Sequence, residues 1–405
     1  MWIDGDYLTD TVAVAGSFAD GLPLPTTPAA VAPGGSATLG TSCFFPNLRF
    51  DATASKIAFP ANLIDPAQFD LFVADVNGLN ATRLVATGPG VEVACVALSP
   101  DGSKVAFTMD SAAQDGLYDV YVVDTTGTGT PVRVSPGYPM DGGYRHGFFS
   151  QLTWSADSRY LGFTGEFANG IGAYVSDTSS APATTVSLYS DTEVAYTASR
   201  LLFDATDHVY LRWFQQSGAL VLYIADPGGQ NRRVVPMPLR SDGTSANAGI
   251  ASISPDGATI VFAADAPTQG TYELFTSGTA AWDPVAVTAN SPTGTGYPAF
   301  YEPRFAPDGA TIAVAAATST SVEIGLAPLD GSARSRLYSL VAGESLYALS
   351  DWTLDGTGLY ISTDIDGSGH GSLYRLDTHR VDQTPELAVA PPANGDVYNA
   401  LIRPM

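Results

Sequence analysis

A short pattern of apolar and polar positions recurs along the chain and predicts pairs of β-strands joined by tight turns. Its three clearest copies are the stretches 99–107, 254–262 and 306–314. Each contains Pro-Asp-Gly followed by a run of β-branched, aromatic or small apolar residues. Proline presets φ, the aspartate carboxylate accepts nearby backbone N–H groups, and glycine relieves the tight position. We therefore assign Pro-Asp-Gly a structural role as a turn, and not a catalytic one.

The turn recurs at a regular distance. Its aspartate position is occupied by residues spaced 48, 56, 49, 50, 52 and 47 apart, namely Thr53, Asp101, Asp157, Thr206, Asp256, Asp308 and Asp355. Before each turn the pattern predicts an inner strand that ends in an aromatic or aliphatic residue: Phe50, Leu98, Trp154, Phe203, Ile253, Phe305 or Trp352. A second apolar strand, an alternating third strand and a short exposed fourth strand follow. A period of about 50 residues is typical of solenoids and propellers.

Four antiparallel strands in each repeat, with almost no helical periodicity, predict an all-β fold. We expect a single β-propeller of seven four-stranded blades, one for each copy of the turn. The ring would be closed by pairing of the candidate strand at 7–15 with the tail at 396–403. If those segments form an extra mixed blade instead, the count becomes eight. The predicted domains are an N-terminal extension with the closing strand, 1–42, and the propeller with its C-terminal closing strand, 43–405.

The repeat resembles the PD40 (WD40-like) repeat of TolB-like β-propellers. That repeat joins an aromatic residue, Ser-Pro-Asp-Gly and a β run to a later Leu-Tyr-x-x-Asp, and the match covers roughly residues 43–390. Copies two, five and six are close to it, whereas copies one and four, at Thr53 and Thr206, lack Pro-Asp-Gly. The resemblance implies a closed propeller but no single activity, because function lies in sites built on the fold.

The charge balance excludes some classes of partner. The chain has 41 acidic and 18 basic residues, a formal net charge of −23 and a pI near 4.2. Such a field repels phosphate backbones and anionic lipid, so we expect neither nucleic acid nor membrane insertion. The acidity favours solubility in a secreted or salt-exposed setting, with recruitment of cations or of a basic partner as the alternative. We expect a monomer.

The chain start and the cysteines bear on the compartment. Residues 1–6 lack the basic and hydrophobic regions of a signal peptide. The chain is therefore either cytoplasmic or a mature form with an added methionine, and we favour the second: a secreted, periplasmic or cell-surface protein. Cys43 and Cys95 precede the inner strands of consecutive repeats. A disulfide between them suits an oxidising compartment, and two buried free thiols fit almost as well.

Aromatic residues gather in the loops opposite the Pro-Asp-Gly turns. In this strand order, the loops from the fourth strand to the next inner strand share one face with those from the second strand to the third. The candidate ligand-binding residues there are Tyr138, Tyr144, His146, Phe148, Phe149, Tyr196, Tyr297, Phe300, Tyr301 and Tyr347. Exposed aromatics supply contact area and hydrogen bonds for protein, peptide or glycan. Alternatively, several of them pack beneath their own loops as small additional cores.

One loop resembles the start of a calcium-binding loop. Asp364, Asp366 and Ser368 offer oxygens at alternate positions, and glycine occupies the sixth. The twelfth position is Arg375, however, where such loops need a bidentate glutamate. A plain turn between the second and third strands is therefore the preferred interpretation. We expect no cofactor, with calcium as the alternative.

Motifs for catalysis are few. The sequence has no Gly-x-Ser-x-Gly elbow, Walker loop, dinucleotide fingerprint or Cys-x-x-Cys pair. Oligogalacturonate lyases are propellers of this general type with a histidine-bound metal, so His146, His208 and His370 are candidates for a cluster at the channel mouth. We favour a non-enzymatic binding or scaffold protein that recognises a protein, peptide or glycan at the aromatic loops. The alternative is a polysaccharide lyase or hydrolase with a metal there, and a third hypothesis is a structural surface module.

Overall fold

A computed structural model describes most of the repeat region. The described residues are 2–3, 12–13, 49–50, 55–61, 70–75, 81–88, 91, 93–110, 118–127, 129–136, 152–167, 170–180, 182–191, 201–214, 220–287, 303–317, 321–330, 332, 335–341, 343–353, 355–365 and 372–389. All regular structure within these ranges is β-strand, because the alternating apolar residues of each repeat suit a pleated, half-buried surface. None of these residues forms a helix long and apolar enough to cross a membrane.

The strands follow one another in the order that the sequence pattern predicts. Their bounds are β1 Trp2–Ile3, β2 Val12–Ala13, β3 Arg49–Phe50, β4 Lys56–Ala61, β5 Asp70–Asp75, β6 Thr82–Val85, β7 Val93–Leu98, β8 Lys104–Asp110, β9 Tyr118–Asp124, β10 Val132–Arg133, β11 Thr153–Trp154, β12 Tyr160–Phe167, β13 Gly170–Asp177, β14 Thr184–Asp191, β15 Leu202–Phe203, β16 Val209–Phe214, β17 Leu220–Ala225, β18 Arg233–Val234, β19 Ala248–Ile253, β20 Thr259–Ala264, β21 Glu273–Gly278, β22 Val285–Ala286, β23 Arg304–Phe305, β24 Thr311–Ala317, β25 Val322–Pro328, β26 Ser335–Ser339, β27 Leu346–Trp352, β28 Gly358–Thr363, β29 Ser372–Asp377 and β30 Glu386–Val389.

The strands from β3 onwards form seven four-stranded antiparallel sheets within the described residues. We number these sheets 1 to 7 in chain order, so that sheet 1 is β3 to β6 and sheet 7 is β27 to β30. In each sheet the strands lie side by side in sequence order. This confirms the all-β fold and the four-stranded repeat. The strand β2 pairs with β1, and the tail at 396–403 lies outside the described residues, so ring closure and the number of blades remain predictions.

The sheets belong to two compact units. The first comprises Met1–Leu201 with Pro227–Gln230 and contains sheets 1 to 3. The second comprises Leu202–Asp226 with Asn231–Met405 and contains sheets 4 to 7. Within each unit, hydrophobic clusters join the faces of neighbouring sheets, as where Val96 and Phe107 pack with Leu71 in the first unit.

Apolar residues fix the register within the sheets. All seven inner strands end at the aromatic or aliphatic residue that the sequence predicts. In four sheets an aromatic ring of the second strand stacks on the cross-strand ring of the third, at centroid distances of 5.7 to 6.0 Å: Phe59–Phe72, Phe107–Tyr121, Phe163–Tyr174 and Phe262–Phe275. Such pairs stabilise one register over others because slipping by one residue would turn the rings to the opposite face.

Tryptophans at the ends of inner strands connect neighbouring sheets. The Trp154 indole N–H donates to the Ala97 carbonyl at 3.0 Å, and the Trp352 indole N–H donates to the Arg304 carbonyl at 3.1 Å. Each donor lies on one inner strand and each acceptor on the preceding one. The aromatic position that marks the repeat in the sequence therefore both fills the core and satisfies a backbone carbonyl.

The turns between first and second strands have the predicted chemistry. The Asp101 carboxylate accepts the backbone N–H of Ser103 at 2.9 Å, and Gly102 has a φ of 67°. Where the glycine is missing, Ser158 and Asp207 adopt φ values of 63° and 65° in its place. Aspartate tolerates this left-handed region better than most residues, so the turn of sheet 4 persists without Pro-Asp-Gly.

Candidate functional site

The strand order gives each sheet two distinct ends. The turn end carries the connections from first to second strand and from third to fourth. The loop end carries the connection from second to third strand and the connection into the next sheet. All Pro-Asp-Gly turns lie at the turn end, and the predicted aromatic site belongs to connections at the loop end.

Most of the predicted site residues lie outside the described part of the chain. This applies to Tyr138, Tyr144, His146, Phe148, Phe149, Tyr196, Tyr297, Phe300 and Tyr301, and to Asp366 and Ser368 of the predicted calcium loop. Tyr347 lies in β27, where only its backbone is described. The aromatic site and the calcium loop therefore stay predictions.

The connection from β18 to β19 forms a short hairpin at the loop end of sheet 5. Leu239 pairs with Ser245 in an antiparallel bridge, and the Arg240 N–H donates to the Thr244 carbonyl at 2.8 Å. Gly243 closes the tip with a φ of 81°, a conformation that glycine adopts without strain. We call residues 238–246 the Leu239 hairpin.

A buried carboxylate holds the Leu239 hairpin in place. Asp265 follows β20 directly and is 2% exposed. Its two oxygens accept from one guanidinium nitrogen of Arg240 at 2.7 and 2.8 Å, and one of them also accepts the Asn247 N–H at 2.5 Å. The Asp265 N–H donates to the Asn247 carbonyl at 3.2 Å. A buried carboxylate needs such partners because desolvation of an unpaired charge is costly, and here they join the two loops of sheet 5.

Sheet 7 repeats the backbone part of this arrangement. Asp364 follows β28 directly, is 4% exposed and accepts the backbone N–H of Ser345, the residue before β27. The Asp364 N–H donates to the Ser345 carbonyl at 3.2 Å. Asp265 and Asp364 thus occupy the same position in two repeats. Asp364 is also one of the predicted calcium ligands. One of its carboxylate oxygens accepts the backbone N–H of Ser345, and calcium binding there stays a prediction.

Sheets 1 and 2 place a buried carboxylate at the start of the third strand. Asp70 accepts from the Arg83 guanidinium at 3.1 Å. Asp119 accepts the Ser135 hydroxyl at 2.6 Å and faces Arg133 at 3.4 Å. The two arginine side chains are 41% and 51% exposed. Water screens such pairs, so each contributes only about 0–1 kcal/mol, and the buried hydrogen bonds do more to fix the loops.

Sequence reasoning missed the role of these four aspartates. Aspartate is rarely buried, and a pattern of hydrophobic positions therefore does not predict which aspartates lie in the core. Asp265 and Asp364 do have a positional signal, since each stands directly after the apolar second strand of its repeat. Their partners come from the distant residues Asn247 and Ser345, which only the fold brings close.

The turn end joins neighbouring sheets. Both lysines of the chain, Lys56 and Lys104, open a second strand. The ammonium group of Lys56 donates to the Gly102 carbonyl of sheet 2 at 3.2 Å, and that of Lys104 donates to the Thr178 carbonyl of sheet 3 at 2.9 Å. These contacts support the structural role that we predicted for this end.

His208 lies at the turn end of sheet 4. Its Nδ1 is 3.2 Å from Asp204 Oδ2, and its Nε2 is 3.4 Å from Asp226 Oδ1. This position separates it from the loop end, where we predicted a cluster with His146 and His370, both of which lie outside the described residues. Within the described ranges, no three His, Cys, Asp or Glu side chains form a group that could hold a metal ion.

Cys95 is disulfide-bonded. It lies within the inner strand β7, rather than before it as predicted, and is 6% exposed. The chain contains one other cysteine, Cys43. Of the two alternatives left by the sequence, a disulfide or buried free thiols, the structure contains the disulfide.

Comparison with known proteins identifies similarity through structure alone. No protein-family model and no curated protein sequence matches the chain. An oligogalacturonate lyase in complex with manganese has a TM-score of 0.53 at 13% identity, over 87% of this chain and 95% of the lyase. The β-propeller domain of the trilobed protease from Pyrococcus furiosus has a TM-score of 0.51 at 12% identity, over 86% and 98%. TolB from Acinetobacter baumannii has a TM-score of 0.38 at 17% identity, over 70% and 63%, which is too low to carry an argument.

These comparisons establish the fold and leave the activity open. The predicted resemblance to TolB-like propellers is confirmed at the level of the β-propeller fold. At identities of 12% and 13% the neighbours do not select a function, and they include a lyase and one domain of a protease. The chain therefore has the fold of the β-propeller proteins.

Proposed function

We propose that this protein is a non-enzymatic binding or scaffold β-propeller that recognises a protein, peptide or glycan at its loop end. The observation that carries the proposal is the way buried Asp265 and Asp364 hold the loops of sheets 5 and 7. Loops that are already ordered lose little conformational freedom when a ligand binds, so more of the contact energy appears as affinity. The aromatic residues predicted at the same end, such as Tyr144 and Tyr301, would supply contact area.

The surroundings of the described carboxylates favour binding over catalysis. Both oxygens of Asp265 accept from Arg240, and Asp364 accepts a backbone N–H. A general acid or base must reach its substrate within hydrogen-bond distance and exchange a proton with it. Asp265 and Asp364 are buried and bonded to protein groups, which suits them to hold loops in position.

The test of the proposal removes the predicted aromatic surface. We expect Tyr144→Ala, Phe148→Ala and Tyr301→Ala together to abolish binding of ligands that the wild-type protein retains on a glycan array or from a displayed peptide library. Aromatic side chains dominate interface energetics, and each loss should cost more than about 1 kcal/mol. Binding is measured by surface plasmon resonance, and circular dichroism confirms that the variant is folded.

A matched control replaces exposed apolar residues away from the loop end. Val132→Ala and Val285→Ala alter outer strands at side chains that are 38% and 52% exposed. We expect this control to bind as the wild-type protein does. If the folded triple variant also binds every retained ligand with unchanged affinity, the aromatic loop end is not the binding site.

The second candidate function is a polysaccharide lyase or hydrolase with a metal at the channel mouth. The likeness to the manganese-bound oligogalacturonate lyase favours it, although this likeness is one of fold. Incubation with polygalacturonate and manganese distinguishes the candidates. Accumulation of unsaturated oligosaccharides would show lyase activity and contradict the binding proposal. Intact polymer together with measured ligand binding would support the binding proposal.

We also propose that the protein is secreted, periplasmic or exposed at the cell surface. The disulfide at Cys95 supports this location, because such bonds persist in oxidising compartments and are rare in the cytosol. Protein isolated from its native cells with a thiol-blocking reagent should yield a peptide linked through Cys43 and Cys95 in mass spectrometry. Recovery of both cysteines in blocked form would contradict the proposed location.

A further inference from the structure

Two exposed aliphatic residues stand on the loops that the buried aspartates hold. Leu239, on the hairpin before sheet 5, is 66% exposed, and Val341, in the turn before sheet 7, is 64% exposed. Both lie in connections from a fourth strand to the next inner strand, and therefore at the loop end of the second unit. Val381 is 63% exposed but lies between β29 and β30, at the turn end.

The two loops lie at the same end of sheets 5 and 7, with sheet 6 between them. In the second unit β19 contacts β23, and β23 contacts β27, so sheets 5, 6 and 7 follow one another. The connection into sheet 6, which carries the predicted aromatics Tyr297, Phe300 and Tyr301, stands between the Leu239 and Val341 connections in this order. In the order of the sheets, Leu239 and Val341 thus flank the part of the predicted aromatic site that belongs to the connection into sheet 6.

Hydrogen bonds hold both residues before any partner arrives. Leu239 is bridged to Ser245, and the adjacent Arg240 is bonded to buried Asp265. In the other loop, the Val341 N–H donates to Glu344 Oε2 at 2.8 Å, and the Glu344 N–H donates to the Val341 carbonyl at 3.1 Å. An aliphatic side chain on a fixed backbone is a preorganised contact, because few rotamers and no backbone freedom are lost on binding.

A carboxylate accompanies each of the two aliphatic residues. Asp242 follows Leu239 by three positions, and Glu344 follows Val341 by three. The Thr244 hydroxyl and backbone N–H donate to Asp242 and hold the pKa of this carboxyl below its ordinary value, so it is ionised at neutral pH. Together with the net charge of −23, these carboxylates favour a partner whose apolar groups are surrounded by positive charge.

We propose that Leu239 and Val341 are anchor residues with which the loop end binds a cationic polypeptide that presents apolar side chains. The inference rests on the proposed binding function and narrows its ligand to a polypeptide. Aliphatic anchors beside carboxylates complement apolar and basic side chains, whereas sugar rings bind chiefly through hydroxyl hydrogen bonds and contact with aromatic faces. The anchors give affinity by burial of apolar area, and the carboxylates give selectivity for positive charge.

The experiment uses three synthetic peptides of equal length and the whole 405-residue chain at physiological salt. One peptide alternates leucine and lysine, the second replaces leucine by serine, and the third replaces lysine by glutamate. We expect the leucine–lysine peptide to bind at least about tenfold more tightly than either of the others in fluorescence anisotropy. The double variant Leu239→Ser, Val341→Ser should bind this peptide about tenfold more weakly, the loss expected for interface anchors.

A control matched in residue type and exposure is Leu387→Ser, Val381→Ser. These side chains are 53% and 63% exposed and lie on the outer strand and at the turn end of sheet 7, outside the connections into the sheets. This control should bind as the wild-type protein does. Asp242→Asn, a second variant, should weaken binding of the leucine–lysine peptide more at low salt than at high salt. Because all four apolar positions are exposed, the melting temperatures should stay near that of the wild-type protein.

Several outcomes would overturn the inference. These are equal affinity of the leucine–lysine and serine–lysine peptides, no binding of any peptide, and equal losses in the double variant and its control. If the aromatic triple variant loses its ligands while Leu239→Ser, Val341→Ser keeps full affinity for the leucine–lysine peptide, the anchors are wrong and the proposed function stands. If neither variant loses any ligand, the proposed function fails as well.

Discussion

Gly257, in the turn of sheet 5, has no room for a side chain. Its φ is +70°, and a Cβ would lie 2.3 Å from the Ala205 nitrogen in sheet 4. Gly309 has a similar φ of +67°, but the nearest atom to its Cβ would be Pro255 Cδ at 3.9 Å. We expect Gly309→Ala to lower the free energy of unfolding by about 1–2 kcal/mol through its left-handed backbone. Gly257→Ala should cost about 1–3 kcal/mol more, because backbone atoms must move apart. Urea denaturation measures the free energy of unfolding of both variants. Equal losses would mean that the backbone of sheet 4 moves away from the added Cβ at no energetic cost.

The loops of sheet 5 show how one side chain holds a whole element. Asp265→Asn leaves the Arg240 side chain, which is 10% exposed, without its counter-charge. Removing one partner of a buried pair costs about 3–5 kcal/mol, and hydrogen exchange in the Leu239 hairpin should accelerate. As a control, Asp382→Asn breaks the pair with Arg336, whose side chains are 56% and 47% exposed. Water already screens this pair, so we expect no measurable change in thermal unfolding. Equal effects of the two substitutions would show that Asp265 is not a structural anchor.

At the scale of the whole molecule, the aspartates at the turn end make the free energy of unfolding depend on pH. Three of them have a pKa lowered from 3.8 to about 2: Asp101, Asp177 and Asp355. Burial raises the pKa of Asp101, but hydrogen bonds from serine residues outweigh it. The Arg159 guanidinium lowers the pKa of Asp177, and the Thr353 hydroxyl lowers that of Asp355. Because the folded carboxyls resist protonation, the unfolded chain binds protons first as the pH falls.

The stabilisation is therefore complete above the unfolded pKa of 3.8 and is lost as the pH falls to about 2. Because the pI lies near 4.2, the chain gains net positive charge as the pH falls below 3.8, and the growing self-repulsion adds to the loss. We expect the melting temperature to fall over this pH window, and to fall less steeply in Asp101→Asn, which lacks one of the titrating groups. A melting temperature that stays constant or rises over this window would show that these carboxyls do not couple stability to pH.

Strand order and turn positions were predictable because local chemistry determines them. Leu98 and Trp352, for example, end inner strands and are buried, at 5% and 8% exposure. An apolar residue directly before a polar turn is therefore a signal that the sequence itself contains. The hydrogen-bond partners of Lys56 could not be predicted, because they belong to the neighbouring sheet. Gly102, for example, lies 46 residues further along the chain. The strand order also predicted which connections share the loop end, whereas the aromatic site placed there stays a prediction. Its support by Asp265 was not, since the burial of a carboxylate depends on partners that the fold supplies.

The ties made by Lys56, Lys104 and Trp154 each span a single step along the order of the sheets. In repeat proteins, such nearest-neighbour interfaces allow folding to begin locally and to spread. During synthesis, each sheet of the first unit can therefore dock on its predecessor before the next one leaves the ribosome. We expect sheets 1 to 3 to form one after another during translation, because each of these contacts joins a sheet to its immediate neighbour.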